Sequence, residues 1–328
     1  MAVLSRSSET AEQTVPDASV VITTRNRCDE VLVAVESCFA QDCKVEVLVY
    51  DDCSDDGTAV AVKSAFPETR VVTFPGRVGY IVNRNRGFRD ARAPVVFSLD
   101  DDAYFSEPDI VSRTLDMFDR DPSVAAVAIP YIEPLKRLSL SSLRYSRKSL
   151  DPGADIRSYI GCAHAIRIDA ALAAGGYRDF FVHQHEERDL CLRLRDAGGR
   201  VVYGDSAPIV HMVSPKRSSA RVMLYGGRNQ ILCETLNVPF PDLLVRLVRV
   251  PIGMISYRFQ WSTLPIKLQS LGAGLMETVR RWHERKPVRR ATFRAYRALP
   301  GHGPEPWEGE VPPPCGEAPA ATGREETA

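Results

Sequence analysis

The first hundred residues alternate short apolar segments with segments of helical periodicity. The apolar segments are rich in β-branched residues, as buried strands are, and they cover 19–23, 45–50, 70–74 and 94–99. Helices are predicted between them, beginning near Asp29, near Thr58 and at Tyr80. Strands that alternate with helices form mostly parallel sheets with helices on the faces. The predicted fold class is therefore α/β, with ligands expected beyond the carboxyl ends of the strands.

Three polar clusters follow three of these strands directly. They are Thr23–Arg27, Asp51–Thr58 and Asp100–Asp102. Because parallel strands end at the same edge of a sheet, we expect the three clusters to meet in one site.

The acidic triplet Asp100, Asp101 and Asp102 is the most charged of these clusters. Adjacent carboxylates repel one another unless a cation lies between them, and oxygen ligands suit Mg²⁺ or Mn²⁺, ions that bind diphosphates. Taken alone, the triplet is equally consistent with a solvated acidic turn. Asp51 and Asp52 could accept hydrogen bonds from a base or a ribose, whereas residues 55–58 are more typical of a turn and a helix cap.

Two further candidates lie in the second half of the chain. One carboxylate of the segment His185–Leu190, Glu186 or Glu187, could act as a general base, although acids are also common in the first turn of a helix. His211 follows an apolar segment. A lone histidine is usually structural, but a nitrogen ligand beside a carboxylate-bound Mn²⁺ is chemically reasonable.

The charge is balanced over the whole chain but not along it. Lys+Arg and Asp+Glu both number 42, whereas residues 211–300 hold sixteen basic and four acidic side chains. Residues 240–300 mix apolar and basic side chains, which predicts helices that either lie on an anionic membrane or pack on the preceding α/β domain. Residues 1–17 and the Pro/Gly/Glu/Ala-rich residues 301–328 are predicted to be disordered, and a basic, Ser-rich loop is predicted over 134–158.

The cellular context is predicted from absent signals. The eight cysteines form no CxxC pair, no signal peptide is visible, and no apolar run reaches the roughly 18 residues of a membrane span. We therefore expect a cytoplasmic protein. Peripheral association with the inner face of the membrane is compatible with this prediction. No nucleic-acid partner is expected, because no aromatic stacking motif accompanies the basic region.

Taken together and in order, these motifs resemble family 2 glycosyltransferases of the GT-A fold, over about residues 18–230. The motifs that carry the resemblance are Val20–Arg27, Tyr50–Thr58, Arg84–Gly87, Leu99–Asp102, Gly175–Phe181, Glu186–Arg193, His211 and Tyr225–Asn229. The resemblance implies a GT-A catalytic domain over 18–235, with a donor half over 18–102 and an acceptor half over 103–235. A basic helical extension would follow over 236–300.

The resemblance implies an inverting transfer from a nucleoside-diphosphate sugar. Thr23 and Asp52 would contact the nucleoside, Asp51 would belong to the donor site beside them, and Asp100 would face the ribose. Asp101 would belong to the same donor site without an assigned contact. The acceptor would be a glycan, a lipid-linked sugar or a small molecule.

The resemblance also assigns the remaining site residues. Those near the donor diphosphate would be Arg27 and Arg84, and the ligands of Mn²⁺ or Mg²⁺ would be Asp102 and His211. Glu187 would be the base, with Glu186 as the alternative, because this chain has Glu-Glu where the family usually has Glu-Asp. Arg228, Asn229 and Asp189 would lie on the acceptor or diphosphate side, with open roles.

Other functions fit the same residues less well. A non-catalytic nucleotide-sugar-binding protein would keep the donor carboxylates and lose the base, yet a carboxylate stands at Glu187. A sugar-phosphate nucleotidylyltransferase would need a Gly-rich loop bearing Lys after the first strand, where Thr23–Arg27 stands instead. A processive synthase would normally bring membrane spans and a Gln-x-x-Arg-Trp motif, which Arg258–Trp261 does not match.

Overall fold

The computed structural model of this protein describes residues 15–134, 150–213, 218–307 and 310–316. Most of the predicted lead over 1–17, most of the predicted loop over 134–158 and the end of the predicted tail, 317–328, lie outside the described residues.

Among these residues, ten strands form two sheets. In chain order they are β1 (Ala18–Thr24), β2 (Val45–Asp51), β3 (Arg70–Thr73), β4 (Val95–Asp100), β5 (Ala103–Phe105), β6 (Val124–Ala128), β7 (Tyr131–Ile132), β8 (Ala163–Arg167), β9 (Arg200–Tyr203) and β10 (Ile209–His211). The large sheet has the order β3-β2-β1-β4-β8-β6-β9, and a small sheet has the order β5-β10-β7. In the large sheet only β8 runs antiparallel to its neighbours.

In the described part of the chain, ten α-helices surround these sheets and follow them. They are α1 (Cys28–Phe39), α2 (Thr58–Ala65), α3 (Tyr80–Asp90), α4 (Ile110–Arg120), α5 (Ile168–Ala173), α6 (Glu186–Asp196), α7 (Ser219–Asn237), α8 (Asp242–Ser256), α9 (Leu264–Arg281) and α10 (Arg290–Ala298). The predicted fold class, a mostly parallel sheet flanked by helices with a C-terminal helical extension, is confirmed.

The central strand β1 is buried on both faces of the large sheet. Val20 and Ile22 pack into the cluster that contains Val35 of α1, whereas Val21 packs into the cluster that contains Phe88 of α3. Burial on both sides explains why the strand reads as a continuous apolar run rather than as an alternating one.

The strand register brings the predicted polar clusters to one edge. Thr23 of β1 pairs with Asp100 of β4, and Thr24 pairs with Asp51 of β2. The expectation that the ends of these three strands meet is confirmed.

The structure corrects the prediction of a disordered tail from residue 301 onward. The N–H of Glu305 donates to the Tyr131 carbonyl over 2.7 Å, and the N–H of Cys315 donates to the Phe105 carbonyl over 3.0 Å. The Tyr104 hydroxyl also donates to the Pro312 carbonyl, over 2.7 Å. The Pro-rich composition suggested disorder, but these hydrogen bonds to the small sheet hold the described parts of the segment in place.

The C-terminal helices pack on α6 and α7. Helix α9 lies along α7, where Gly274 faces Ile231 and the hydroxyls of Thr235 and Thr278 are 3.0 Å apart. Phe293 of α10 shares a small apolar cluster with Leu192 of α6. Among the described residues, no helix is both long enough and apolar enough to cross a bilayer.

A pair of glycine substitutions tests the packing of α3 on β1. A Cβ added at Gly87 would lie 2.6 Å from Cγ2 of Val21, whereas one added at the exposed Gly272 of α9 would meet nothing within 4 Å. We expect Gly87→Ala to lower the free energy of unfolding by about 1–3 kcal/mol through overpacking. Gly272→Ala should raise it by about 0.5–1 kcal/mol through helix propensity.

Urea unfolding of both variants provides the measurement, since the two substitutions change the same atoms in helix interiors. Equal stabilities for Gly87→Ala and Gly272→Ala would contradict the close contact between α3 and β1.

Candidate functional site

A buried arginine stands at the centre of the strand-end cluster. Arg84 of α3 is 4% exposed, and its Nη2 donates to Oδ1 of Asp100 over 2.8 Å and to the Gly161 carbonyl over 2.9 Å. Its guanidinium also lies over the ring of Tyr80, 4.8 Å from the centroid. The predicted donor residues Arg84 and Asp100 therefore form one ion pair at the edge of the sheet.

The glutamate pair lies on the other side of the same arginine. Nη1 of Arg84 is 3.6 Å from Oε1 of Glu186, which also accepts a hydrogen bond of 2.6 Å from the Tyr80 hydroxyl. Oε2 of Glu186 is buried and has no hydrogen-bond partner among the described residues. Glu187 is half-buried.

Gly161 lets Arg84 and Glu187 approach the same point. A Cβ at this position would lie 2.8 Å from both terminal nitrogens of Arg84 and 2.9 Å from Oε1 of Glu187. Burial raises the pKa of both Glu186 and Glu187, and for Glu187 the neighbouring Glu186 charge raises it further. A carboxylate with a raised pKa, close to a fixed cation, is suited to accept a proton near neutral pH.

The turn that begins α6 is conformationally strained. Val182, Gln184 and His185 all have positive φ, at 62°, 72° and 71°. The side-chain amide of Asn229 holds this turn by donating to three carbonyl oxygens at 2.7–2.8 Å, those of Phe181, His183 and Gln184. Strain of this kind persists only where the surroundings enforce it, and it is concentrated at functional sites.

Arg27 neutralises the other two acids of the triplet. Its Nη1 donates to Oδ1 of Asp101 and to Oδ2 of Asp102, each over 2.7 Å. Burial raises the pKa of Asp101 to about 7. Burial alone would also raise the pKa of Asp102, but His211 and Arg27 lower it well below the usual range.

The predicted metal ligands Asp102 and His211 are neighbours in the structure. Oδ1 of Asp102 is 3.3 Å from Nε2 of His211, and Oε1 of Glu133 is 3.3 Å from Nδ1. Ligand atoms of Asp100, Cys162 and His211 lie within 4.8 Å of one another.

These donors can share one ion. Protein ligands bind a metal at about 2.0–2.3 Å, so donor atoms of one ion lie up to roughly twice that distance apart. An oxygen, a nitrogen and a sulfur donor with this spacing therefore fit a divalent cation.

Sequence reasoning missed Cys162 and Glu133. Cys162 immediately precedes β8, whose antiparallel register sets Ala163 opposite Leu99 and so brings Cys162 beside Asp100. A lone cysteine ahead of a strand carries no local signal for this position, because the register of β8 is decided by the whole sheet.

The predicted nucleoside residues hold the loops at the edge of the sheet. Asp52 accepts hydrogen bonds from the backbone N–H groups of Val78 and Gly79 at 2.7 and 3.1 Å, and Asp51 accepts one from the Ser54 N–H at 3.1 Å. Thr23 is half-buried at the end of β1. Their contact with a nucleoside stays a prediction.

The candidates with open roles support the turn at the start of α6. Asp189 is fully buried and pairs with Arg178 over 2.7 Å and with Arg193 over 2.5 Å. Arg228 donates to the Phe180 carbonyl over 3.0 Å. The structure brings these residues beside the glutamate pair without exposing Asp189 to a ligand.

Comparison with known proteins gives two partial sequence relatives. The chain is 35% identical over 116 residues to the succinoglycan biosynthesis protein ExoO of Rhizobium meliloti (strain 1021), which covers 34% of this chain and 33% of that protein. It is 29% identical over 113 residues to an uncharacterized glycosyltransferase of Haemophilus influenzae (strain ATCC 51907 / DSM 11121 / KW20 / Rd), which covers 34% of this chain and 38% of that one. The matches span only about a third of the length of these curated relatives.

Solved structures share the fold at low identity. S. aureus TarS 1–349 in complex with UDP-GlcNAc matches with a TM-score of 0.62 and 17% identity, covering 79% of this chain and 81% of that one. The mannosyltransferase PcManGT from Pyrobaculum calidifontis, in complex with GDP-Man and Mn²⁺, matches with a TM-score of 0.55 and 18% identity, covering 87% and 80%. Residues 19–172 match the family model for glycosyl transferase family 2, and the chain shares the GT-A fold of these solved structures.

Proposed function

We propose that this chain is an inverting glycosyltransferase that moves a sugar from a nucleoside-diphosphate sugar to an acceptor hydroxyl. The observation that carries the proposal is the buried Arg84, which contacts the donor-side Asp100 and lies within 3.6 Å of Glu186. One network thus joins the family's donor edge to a pair of carboxylates with raised pKa values. Structurally similar proteins solved in complex with UDP-GlcNAc and with GDP-Man support a nucleotide-sugar donor.

Glu187 is the better candidate for the base. Oε1 of Glu186 accepts the Tyr80 hydrogen bond and the side chain is 1% exposed, whereas Glu187 is half-buried. In the proposed step, Glu187 takes the proton of the acceptor hydroxyl. The oxygen of that hydroxyl attacks the anomeric carbon at the same time. The bond to the diphosphate breaks on the opposite face, and the nucleoside diphosphate leaves with the electron pair.

Asp102 and His211 would hold a divalent cation, with Asp100 and Cys162 beside them. When bound, the cation would supply positive charge for the leaving diphosphate. Nitrogen and sulfur donors favour Mn²⁺ over Mg²⁺, which prefers oxygen ligands alone. We therefore propose Mn²⁺ as the preferred ion of this site.

Substitution of the base tests the role of Glu187. Glu187→Gln keeps the shape of the side chain and removes proton acceptance, so transfer should fall by about 10²–10⁴-fold. A thermal-shift screen of UDP-, GDP- and dTDP-sugars first selects the donor. The dissociation constant of this donor, measured by calorimetry, should change by less than about threefold in Glu187→Gln, which is less than about 1 kcal/mol.

Glu68→Gln on the exposed surface is the matched control and should transfer normally. Near-normal transfer by Glu187→Gln, together with loss in Glu186→Gln, would move the base to Glu186. A wild-type chain that binds donor and transfers to none of a broad panel of acceptors would instead indicate a non-catalytic binding protein.

The raised pKa values predict the pH dependence of transfer. The base acts when it is ionised, so kcat/KM should fall as the pH decreases through its pKa, above the usual value of about 4.3. The Glu186 charge contributes to the raised pKa of Glu187, so Glu186→Gln should move this acidic limb to lower pH. Rate profiles of both proteins provide the measurement, and identical acidic limbs would contradict coupling between the two carboxylates.

Binding of the metal itself tests the proposed ligands without an activity assay. His211→Ala should weaken Mn²⁺ binding by at least about tenfold, measured by electron paramagnetic resonance of the free ion. Co²⁺ should give a thiolate charge-transfer band that is lost in Cys162→Ser and kept in the control Cys43→Ser, since Cys43 lies outside the cluster. Mn²⁺ affinity that is unchanged in His211→Ala would exclude this site.

A further inference from the structure

The helices α8 and α9 and the turn between them expose large apolar side chains on their outer sides. We define the apolar hairpin face by six of them, Val248, Ile252, Trp261, Leu268, Met276 and Val279. Trp261 is 78% exposed and Val279 is 79% exposed. Such a concentration of exposed apolar side chains marks a surface that is covered in the working protein.

Helix α9 has the reverse of the usual pattern of a surface helix. Its buried residues Ser270, Gly274 and Thr278 recur every four positions, and Gly274 packs closely on Ile231 of α7. Its large apolar residues face outward instead. Small residues between helices and large apolar residues outside are characteristic of helices in contact with lipid.

The charge of this region indicates what covers the face. Residues 248–279, which span this face, contain three basic residues, Arg249, Arg258 and Lys267, and one acid, Glu277. Arg249 is exposed on α8 beside Val248 and makes no ion pair with any described residue. The turn adds Tyr257, with Arg258 over its ring, next to Trp261. Basic residues together with tyrosine and tryptophan are typical of the boundary between lipid headgroups and acyl chains.

A second copy of the chain fits this surface poorly. A symmetric contact would bring the same patch of both copies together, so the basic residues would face one another. The acid in this stretch, Glu277, already pairs with Arg228, Arg280 and Arg281. Like charges that face one another oppose association.

We propose that the apolar hairpin face docks on the surface of an anionic phospholipid bilayer. The apolar side chains insert into the headgroup boundary, and Arg249 and its basic neighbours contact lipid phosphates. The hairpin lies on the membrane without crossing it, since no described helix is long and apolar enough to span it.

The hairpin is connected to the candidate site through α7. Asn229 of α7 holds the turn before Glu186, and Arg281 of α9 lies over the ring of Phe180, 3.8 Å from the centroid. A membrane-bound hairpin would therefore keep the glutamate side of the site close to the bilayer. This arrangement favours a lipid-linked acceptor. The choice of acceptor rests on the proposed glycosyl transfer, whereas the proposal of membrane docking is independent of it.

Flotation of the full chain on vesicles tests the docking. We expect the protein to float with phosphatidylcholine vesicles that contain phosphatidylglycerol and to remain behind with phosphatidylcholine alone. Trp261→Ser/Val279→Ser should lower the vesicle partition coefficient at least tenfold, because the variant lacks two of the apolar side chains that insert into the membrane. Both side chains are exposed and contribute little to folding, so the variant should fold normally. Arg249→Glu should weaken binding and its dependence on phosphatidylglycerol.

The matched control is Val60→Ser/Leu172→Ser, which removes two exposed apolar side chains from α2 and α5. It should float like the wild-type chain. Quenching of the native tryptophan fluorescence by brominated lipids gives a second measurement that needs no variant.

Three results would overturn the proposal. The first is absence of flotation with anionic vesicles, and the second is flotation of the Trp261→Ser/Val279→Ser variant equal to that of the wild-type chain. The third is a wild-type chain that is a dimer and a variant that is a monomer, with no vesicle binding by either protein. All of these measurements omit donor and acceptor. Failure of membrane docking can therefore be distinguished from failure of the proposed glycosyl transfer.

Discussion

The candidate site depends on one buried cation, the guanidinium of Arg84. A charge without solvent is stable only when it is paired and hydrogen-bonded, and Asp100, the Gly161 carbonyl and Glu186 meet this need from three separate parts of the chain. Removal of any one of these partners would leave buried charge uncompensated. The electrostatic requirement of Arg84 therefore fixes the end of β4 and the start of α6 relative to each other.

Helix α3 positions this cation through consecutive residues with different roles. Asn85 donates to the Tyr177 carbonyl over 2.7 Å and accepts the Tyr177 N–H over 2.8 Å, which ties α3 to the loop before α6. Gly87 allows the helix to lie directly on Val21 of β1. The motif Arg84–Gly87 thus combines a site residue, a loop anchor and a packing contact, which explains why it is recognisable as a unit in the sequence.

The sequence was sufficient for features that local chemistry decides. Strands that end in Asp51 and Asp100 were predictable from apolar runs followed by acids, and their meeting at one edge followed from parallel pairing. The position of Cys162 was not predictable, because it depends on the antiparallel register of β8 against β4. The role of Asn229 was equally hidden, since its three acceptors lie about 46 residues earlier in the chain.

The acidic triplet shows how position divides residues that the sequence presents as equivalent. Asp100 pairs with Arg84, whereas Asp101 and Asp102 share Arg27. Of the two acids that share Arg27, Asp102 also lies 3.3 Å from His211, and both neighbours lower its pKa, whereas burial raises the pKa of Asp101 to about 7. Because Arg27 already compensates two of the carboxylates, the triplet does not need a cation in order to fold. A cation near His211 would instead compete with Arg27 for Asp102, so its affinity would depend on how readily this arginine moves away from that carboxylate.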